Sequence, residues 1–373
     1  MSPGWCAPHA LMACRPATLD AQAHPARKAQ PPKPPGRVIH SSAGIARFPG
    51  MNRLPGSIIL LTRICITAGT PGPPEREKNG PEARGEMKVY LDGRILDAEE
   101  ACLPLNDRGV LFGDGLFETI RAYRGSPFRL DRHLARLREG CRVLRISGIP
   151  GNDEIEEAIH ALYRENVGEG DAYVRLTVTG GDFDGTRNLT RSSAPRFFIM
   201  VKPLEGYPPE FYGRGVRVTV SSVRRNSRSP LSRIKTNNYL EPLYAKQEAA
   251  DRGYDDALFL NTEGYLAEGS TSNLFLVSGG TVKTPHADCG ILPGITREAV
   301  LELCAELGLP AEEGFYALED LKAAEEAFLT MTTGEIIPIR EVDGFRLSGP
   351  CPGAVTSRLM RAYRDLVETE ISA

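Results

Sequence analysis

The chain has 373 residues, a quarter of them charged, and a formal net charge of −3; that length supplies two ordinary domains, each with its own core. The charge is unevenly placed. Before Glu75 the single acidic residue is Asp20, against eight Arg and Lys, and residues 1–86 hold 14 of the 29 prolines. Such a stretch cannot bury much apolar surface and reads as a disordered Pro/Arg-rich extension. From Met87 on the net charge is −9, which leaves no basic footprint for nucleic acid in the folded part.

The Arg-rich, acid-poor start has the balance of an organellar transit peptide, but serine is sparse and proline breaks any amphipathic helix. Ile58–Leu61 lies too far in for a secretory signal, and Arg63 interrupts it as a membrane span. The reading adopted here is that Met87, or Met51, is the natural start and the residues upstream are a spurious or accessory tail. The eight cysteines form no Cys-x-x-Cys pair and the six histidines show no ligand spacing. That usage suits buried free thiols, no structural metal and a reducing compartment, the cytoplasm.

Lys88-Val-Tyr-Leu-Asp92-Gly93-Arg-Ile-Leu predicts a hairpin, with alternating apolar residues around an Asp-Gly turn. Asn106 to Gly115 is a glycine-studded loop, and Leu116 to Tyr123 resumes a strand pattern. Asp131 is the expected cap of a helix with Leu134, Leu137, Cys141 and Leu144 on one face. A second helix covers about 153–166, and strands follow at 172–179 and 195–202. Residues 87–202 thus read as a small α+β domain with mostly antiparallel strands. Residues 203–214, rich in Pro, Gly and Tyr, read as an interdomain connector. Residues 215–373 form the second, larger domain. Its expected strands lie at 216–223, 257–261, 273–277 and 281–284, the last two joined by Ser278-Gly279-Gly280. Leu292-Pro293-Gly294-Ile295-Thr296-Arg297 opens a helix with Val300, Leu303, Cys304 and Leu307 on one stripe. A strand at 326–330, a Thr332-Thr333-Gly334 loop, a strand at 338–342 and a helix from about Gly353 close the chain.

Four features of the second domain suit one kind of ligand. Lys235 follows an apolar residue at a strand-to-helix junction, before a helix with Leu240, Leu243 and Tyr244 on its expected apolar face. A buried amine there loses hydration and shifts towards its neutral, nucleophilic form. Glu268 is a carboxylate beside the small-residue run Gly269-Ser-Thr-Ser-Asn273. Gly294-Ile295-Thr296 stands at a helix N-terminus, where free amides and the helix dipole favour a phosphate. Thr332-Thr333-Gly334 offers hydroxyls and amides in a tight loop, and Arg136 of the first domain adds a counter-charge. Each has an ordinary structural reading by itself: a surface lysine, a turn carboxylate, a helix cap, a helix-surface arginine. Together, lysine, carboxylate and phosphate cradle suggest pyridoxal phosphate.

From Met87 to about Tyr363 the chain resembles the class IV, fold-type IV pyridoxal-phosphate enzymes. That family includes branched-chain aminotransferases, D-amino-acid aminotransferases and 4-amino-4-deoxychorismate lyases. The resemblance rests on Phe112-Gly-Asp-Gly-Leu-Phe-Glu118-Thr-Ile-Arg121, Ile234-Lys235-Thr-Asn-Asn-Tyr239-Leu, Glu268-Gly-Ser-Thr-Ser-Asn273-Leu-Phe and Leu292-Pro-Gly294-Ile-Thr296-Arg297, in family order. It implies a two-domain fold whose larger domain is a pseudo-barrel, and a homodimer in which the Asp107–Gly113 loop reaches the neighbouring site. It implies that Lys235 carries pyridoxal 5′-phosphate as a Schiff base and shuttles the substrate's proton. Glu268 would meet the ring nitrogen and Tyr239 the 3′-oxygen. Arg136, Ile295, Thr296 and Thr332 would hold the phosphate, and the amides of Thr333 and Gly334 the substrate carboxylate.

Tyr173-Val-Arg175 resembles the Tyr-x-Arg of branched-chain aminotransferases, whose arginine meets the distal carboxylate of 2-oxoglutarate; the other reading is a strand arginine facing solvent. The Val178-Thr-Gly180-Gly181 stretch lacks the histidine usual in D-amino-acid aminotransferases. The Lys235–Tyr239 spacing is one residue shorter than in typical branched-chain enzymes. The expected activity is transfer of the amino group of an L-amino acid, a branched-chain one, to 2-oxoglutarate. The alternatives are the lyase, the D-amino-acid enzyme and a non-catalytic relative that only binds ligand.

Overall fold

The computed structural model describes residues 87–372, which fall within one compact unit; the expectations for residues 1–86 lie outside them. The first hairpin joins β1 (Lys88–Leu91) and β2 (Arg94–Asp97). Asp92 and Gly93 both take positive φ, 47° and 86°, the conformation that a short polar residue and a glycine adopt at least cost. The 106–115 stretch is not all loop. Asp107 accepts from the Gly109 amide and so caps a short helix, α1 (Arg108–Phe112).

Next come β3 (Gly115–Tyr123), the two-residue β4 (Ser126–Pro127) and α2 (Leu130–Val143). Asp131 does not cap α2. The cap position is Arg129, in the left-handed region, and Asp131 lies inside the first turn, where its charge still meets the helix dipole. With α3 (Asn152–Asn166), β5 (Ala172–Thr179) and β6 (Arg196–Pro203), a six-stranded sheet is complete in the order β2-β1-β6-β5-β3-β4. Every neighbouring pair in it is antiparallel.

Strand alternation divides β3 between two environments. Leu116 and Ile120 join the core under α2 and α3, with Leu134, Leu137, Ile159, Leu162 and Val174. Phe117, Thr119 and Arg121 point to the opposite face. There the β3–β5 register sets Thr119 against Arg175 and Arg121 against Tyr173.

The 203–214 stretch contains α4 (Pro209–Arg214). After it the chain runs through β7 (Val216–Arg225), α5 (Leu240–Asp251), β8 (Asp256–Asn261), β9 (Leu266–Gly269), β10 (Asn273–Ser278) and β11 (Thr281–Pro285). It continues through α6 (Ile295–Glu306), β12 (Ala311–Gly314), α7 (Leu318–Ala323), β13 (Glu326–Met331), β14 (Glu335–Val342), β15 (Phe345–Arg346) and α8 (Ala354–Ser372). The second sheet runs β12-β11-β10-β13-β14-β7-β8-β9, and a further pairing of β9 with β10, Glu268 opposite Asn273, closes six of its strands into a ring. This is the expected pseudo-barrel. Val218, Leu258, Leu274, Leu329 and Ile339 form one of its clusters. A second lies under α6 and α8, where Phe275 and Phe328 stack at 4.9 Å.

The apolar face expected for α5 is wrong. Leu240, Leu243 and Tyr244 are 80%, 58% and 62% exposed, and the helix buries Pro242, Ala245 and Ala249 instead. Small side chains at that spacing let the helix lie close on β7 and β8, and the bulky residues are left outside. Among the described residues no helix is long and apolar enough to cross a membrane.

Candidate active site

The Lys235 segment is sewn between the two sheets. Ile234 is buried in the core of the first sheet. The Lys235 carbonyl accepts from the Phe117 amide at 2.9 Å, the Asn237 amide donates to the Gly115 carbonyl at 2.9 Å, and Thr236 bridges to Leu116. A 3-10 turn, Pro230–Arg233, separates the lysine from the end of β7. These main-chain bonds fix the lysine's backbone and turn its side chain into a cavity of about 300 Å³.

Within that cavity Lys235 Nζ lies 4.6 Å from the ring centre of Phe117 and 5.8 Å from that of Tyr239. Burial and the nearby Arg136 charge lower its pKa to about 8, with Arg175 adding to the effect and Glu118 and Glu268 opposing it. About a tenth of this amine is therefore neutral at pH 7, far more than of an ordinary lysine, and the neutral form is the nucleophile.

Glu268 is the last but one residue of the short strand β9 and lines the same cavity. Its Oε1 accepts from Arg225 Nη2 at 2.5 Å, and its Oε2 accepts from the Leu292 amide at 3.0 Å. Burial raises this carboxyl's pKa on balance, with the Arg225 charge and the Leu292 amide opposing it. Burial also raises the Tyr239 hydroxyl to about 12, with the Glu268 charge acting the same way, so the phenol stays protonated. Its ring meets Phe117 edge-on at 5.1 Å.

Gly294 is the cap of α6 and offers no side-chain acceptor to the first-turn amides. A Cβ there would stand 1.9 Å from Asn273 Oδ1, so only glycine lets α6 start this close to the cavity. Arg136 reaches the same corner, donating through Nη1 to the Pro293 carbonyl at 2.7 Å. Thr332 and Thr333 follow β13 on another side, and the Thr333 carbonyl accepts from Arg121 Nη1 at 3.3 Å.

Of the eleven residues singled out in the sequence, ten line this one cavity: Arg136, Tyr173, Arg175, Lys235, Tyr239, Glu268, Ile295, Thr296, Thr332 and Thr333. Gly334 sits in the adjoining turn, buried against Ile337 and Met331, and is not part of the lining. Arg175 does not face solvent. Its guanidinium stacks 4.0 Å from the Phe117 ring centre, inside the wall.

Two residues escaped the sequence reading. Arg225 looks like half of an exposed Arg224-Arg225 pair at a strand end, and its partner Glu268 lies 43 residues on, so no local signal marks it. Glu118 did leave a trace: it falls on the core-facing alternation of β3, between Leu116 and Ile120, where a glutamate needs a cationic partner.

Residues 115–342 match the model of the family described as amino-transferase class IV. A putative branched-chain-amino-acid aminotransferase of Methanocaldococcus jannaschii is 37% identical over 283 residues, 75% of this chain and 96% of its own length. An aminodeoxychorismate lyase of Bacillus subtilis is 34% identical over 287 residues, 76% of this chain and 96% of its own. Among solved structures, a branched-chain amino acid aminotransferase from Thermobaculum terrenum in its PLP (holo) form superposes with a TM-score of 0.67 at 33% identity. That likeness covers 76% of this chain and 95% of the other.

Proposed function

The chain belongs to the class IV aminotransferase family, and on that premise we propose that it transfers the amino group of a branched-chain L-amino acid to 2-oxoglutarate. It is a pyridoxal 5′-phosphate enzyme. The cavity suits that cofactor on its own chemistry. It holds a lysine of lowered basicity, an arginine beside uncapped helix amides, a buried carboxylate, and wall hydroxyls of Ser272 and Thr330 that are buried without a hydrogen-bond partner. When bound, the cofactor's protonated ring takes up the electrons released at the substrate's α-carbon.

In this reading Lys235 Nζ holds the cofactor covalently and, once freed, carries the α-proton. Glu268 faces the ring nitrogen and Tyr239 the 3′-oxygen. Arg136, Thr332 and the amides of Ile295 and Thr296 take the phosphate. The amides of Thr333 and Gly334 take the substrate's α-carboxylate.

One observation carries the choice of substrates. Arg175 is a cation in the cavity wall with no carboxylate partner among the described residues, and a guanidinium fork suits the second carboxylate of 2-oxoglutarate. Phe117, Tyr207 and Met331, in the same lining, offer apolar surface to an aliphatic side chain. Arg175→Met is expected to raise KM for 2-oxoglutarate about ten- to a hundredfold, with KM for leucine little changed, in a steady-state assay of glutamate formation. The likeness to the Bacillus subtilis lyase supports a second reading, release of pyruvate and 4-aminobenzoate from aminodeoxychorismate. If leucine and 2-oxoglutarate give no glutamate while aminodeoxychorismate gives pyruvate, the second reading replaces the first.

The reading includes a homodimer. Val110, Leu111 and Phe112 on α1 are exposed, as are Leu240, Leu243 and Tyr244 on α5, and Asn238 Nδ2 ties the two helices together by donating to the Gly113 carbonyl at 3.2 Å. A second copy would cover this apolar patch; light scattering is expected to give twice the chain's mass, and a monomer at micromolar concentration would refute it. The described cysteines are unpaired, which supports a place in the reducing cytoplasm.

A further inference from the structure

Beneath the corner where Arg136 meets the start of α6 lies a buried cluster of ionisable groups. Glu118 is fully buried on β3, and His133, one turn before Arg136 on α2, is 1% exposed. Glu118 accepts from Arg136 Nε at 2.8 Å through Oε1 and from Arg136 Nη2 at 2.7 Å through Oε2, a two-pronged pair. His133 Nδ1 lies 2.8 Å from Glu118 Oε2. Burial would raise the Glu118 carboxyl, but the Arg136 charge and the bonds from Arg136 and His133 outweigh it and hold it at about 2. Burial lowers the His133 pKa, with Arg136 and Lys235 acting in the same direction against Glu118; the imidazole is thus neutral, with its Nδ1–H donating to Glu118.

Of the five N–H groups of a guanidinium, Arg136 spends two on Glu118 and one on the Pro293 carbonyl. Two remain. The plane of the group is fixed on one side by β3 and on the other by the residue just before Gly294. The adjacent carboxylate also cancels much of the arginine's charge, so what the corner presents to an anion is direction more than net charge. We propose that Glu118 and His133 are positioning residues that lock Arg136 in the plane needed to hold the cofactor's phosphate. The inference deepens the reading of Arg136 as part of the phosphate cradle and rests on it.

Simple electrostatics and positioning predict opposite signs here. Removing a negative charge beside a phosphate site tightens anion binding if charge alone matters; freeing the guanidinium weakens it if orientation matters. The measurements are the dissociation constants of pyridoxal 5′-phosphate, and of inorganic phosphate, for the cofactor-free full chain, with its melting temperature as a control for folding. Glu118→Gln is expected to weaken both by about ten- to a hundredfold, and unchanged or tighter binding overturns the proposal. His133→Asn, whose amide can keep the donated bond, should bind nearly as the parent does, and His133→Leu should behave like Glu118→Gln; equal binding in the two His133 variants removes His133 from the device.

Glu118→Gln leaves the largely buried Arg136 charge uncompensated, which costs folding stability, so a charge-neutral variant keeps the test independent of folding. The double variant Glu118→Gln with Arg136→Met is neutral and should bind no more weakly than Arg136→Met alone, because a residue that acts through Arg136 has no effect once Arg136 is gone. A further loss in the double variant overturns the proposal. If Arg136→Met itself binds both probes like the parent, the cradle reading fails and the proposal with it. If Arg136→Met weakens binding while Glu118→Gln does not, only the positioning role is refuted.

Discussion

With Lys235 replaced by alanine, turnover is expected to fall about a thousandfold or more, since proton transfer at this position is lost together with the covalent tether. The long-wavelength absorbance of lysine-bound cofactor should vanish in the same variant. The phosphate corner is untouched, so pyridoxal 5′-phosphate should still bind, with the spectrum of a free aldehyde. The amine's lowered pKa adds a pH dependence with a definite sign. Only the neutral amine attacks the aldehyde, so covalent loading of the cofactor-free protein should speed up as pH rises through about 8 and level off above it. Below that it should slow about tenfold per pH unit. An ordinary lysine would keep gaining rate past pH 10. Loading with no break near 8, or turnover retained by Lys235→Ala, would show that this amine does not carry the chemistry.

How much of this was visible in the sequence depends on the range of each interaction. The β1–β2 hairpin was legible because its turn chemistry is local: Asp92 and Gly93 must both take positive φ. Strand β5 was legible at 172–179, and strand alternation sets Tyr173 and Arg175 on one face of it. The buried face of α5 does not follow from side-chain hydrophobicity. Close packing on β7 and β8 instead selected Ala245 and Ala249 and left Leu240 and Leu243 outside. Ring closure of the second sheet depends on one pairing, Glu268 with Asn273, and no periodicity reports which strand ends will meet. Convergence of the site residues had the same character. Lys235, Glu268 and Arg136 are far apart in the chain, and the resemblance to a family supplied what pattern could not. Glu118 lies inside one of the resemblance motifs, and its place between Leu116 and Ile120 on a core face already demands a partner.

The second large effect concerns Glu268 and the arginine that sequence reading passed over. A carboxylate facing the ring nitrogen serves only while it is ionised, and this one is buried, which by itself favours the neutral acid. Arg225 offsets that tendency through its 2.5 Å contact with Oε1, and the Leu292 amide fixes Oε2. Glu268→Gln, which keeps the shape and loses the charge, is expected to lower turnover about 10²–10³-fold, the scale seen when one preorganised electrostatic partner is removed. Arg225→Met touches neither the lysine nor the phosphate corner, but it leaves Glu268 buried without its cation. Its carboxyl should then take up a proton at higher pH. The sign follows directly: Glu268 supports turnover only above its pKa, so the acid limb of the pH–rate profile should move to higher pH in Arg225→Met. Arg225→Lys, which restores a charge without the fork, should lie between that variant and the parent. In Glu268→Gln no carboxyl remains to titrate, and the same limb should lose its dependence on residue 225 altogether. Parent-like turnover in Arg225→Met with an unmoved acid limb would mean that the Leu292 amide alone keeps Glu268 ionised and that the ion pair serves only the join between β7 and β9.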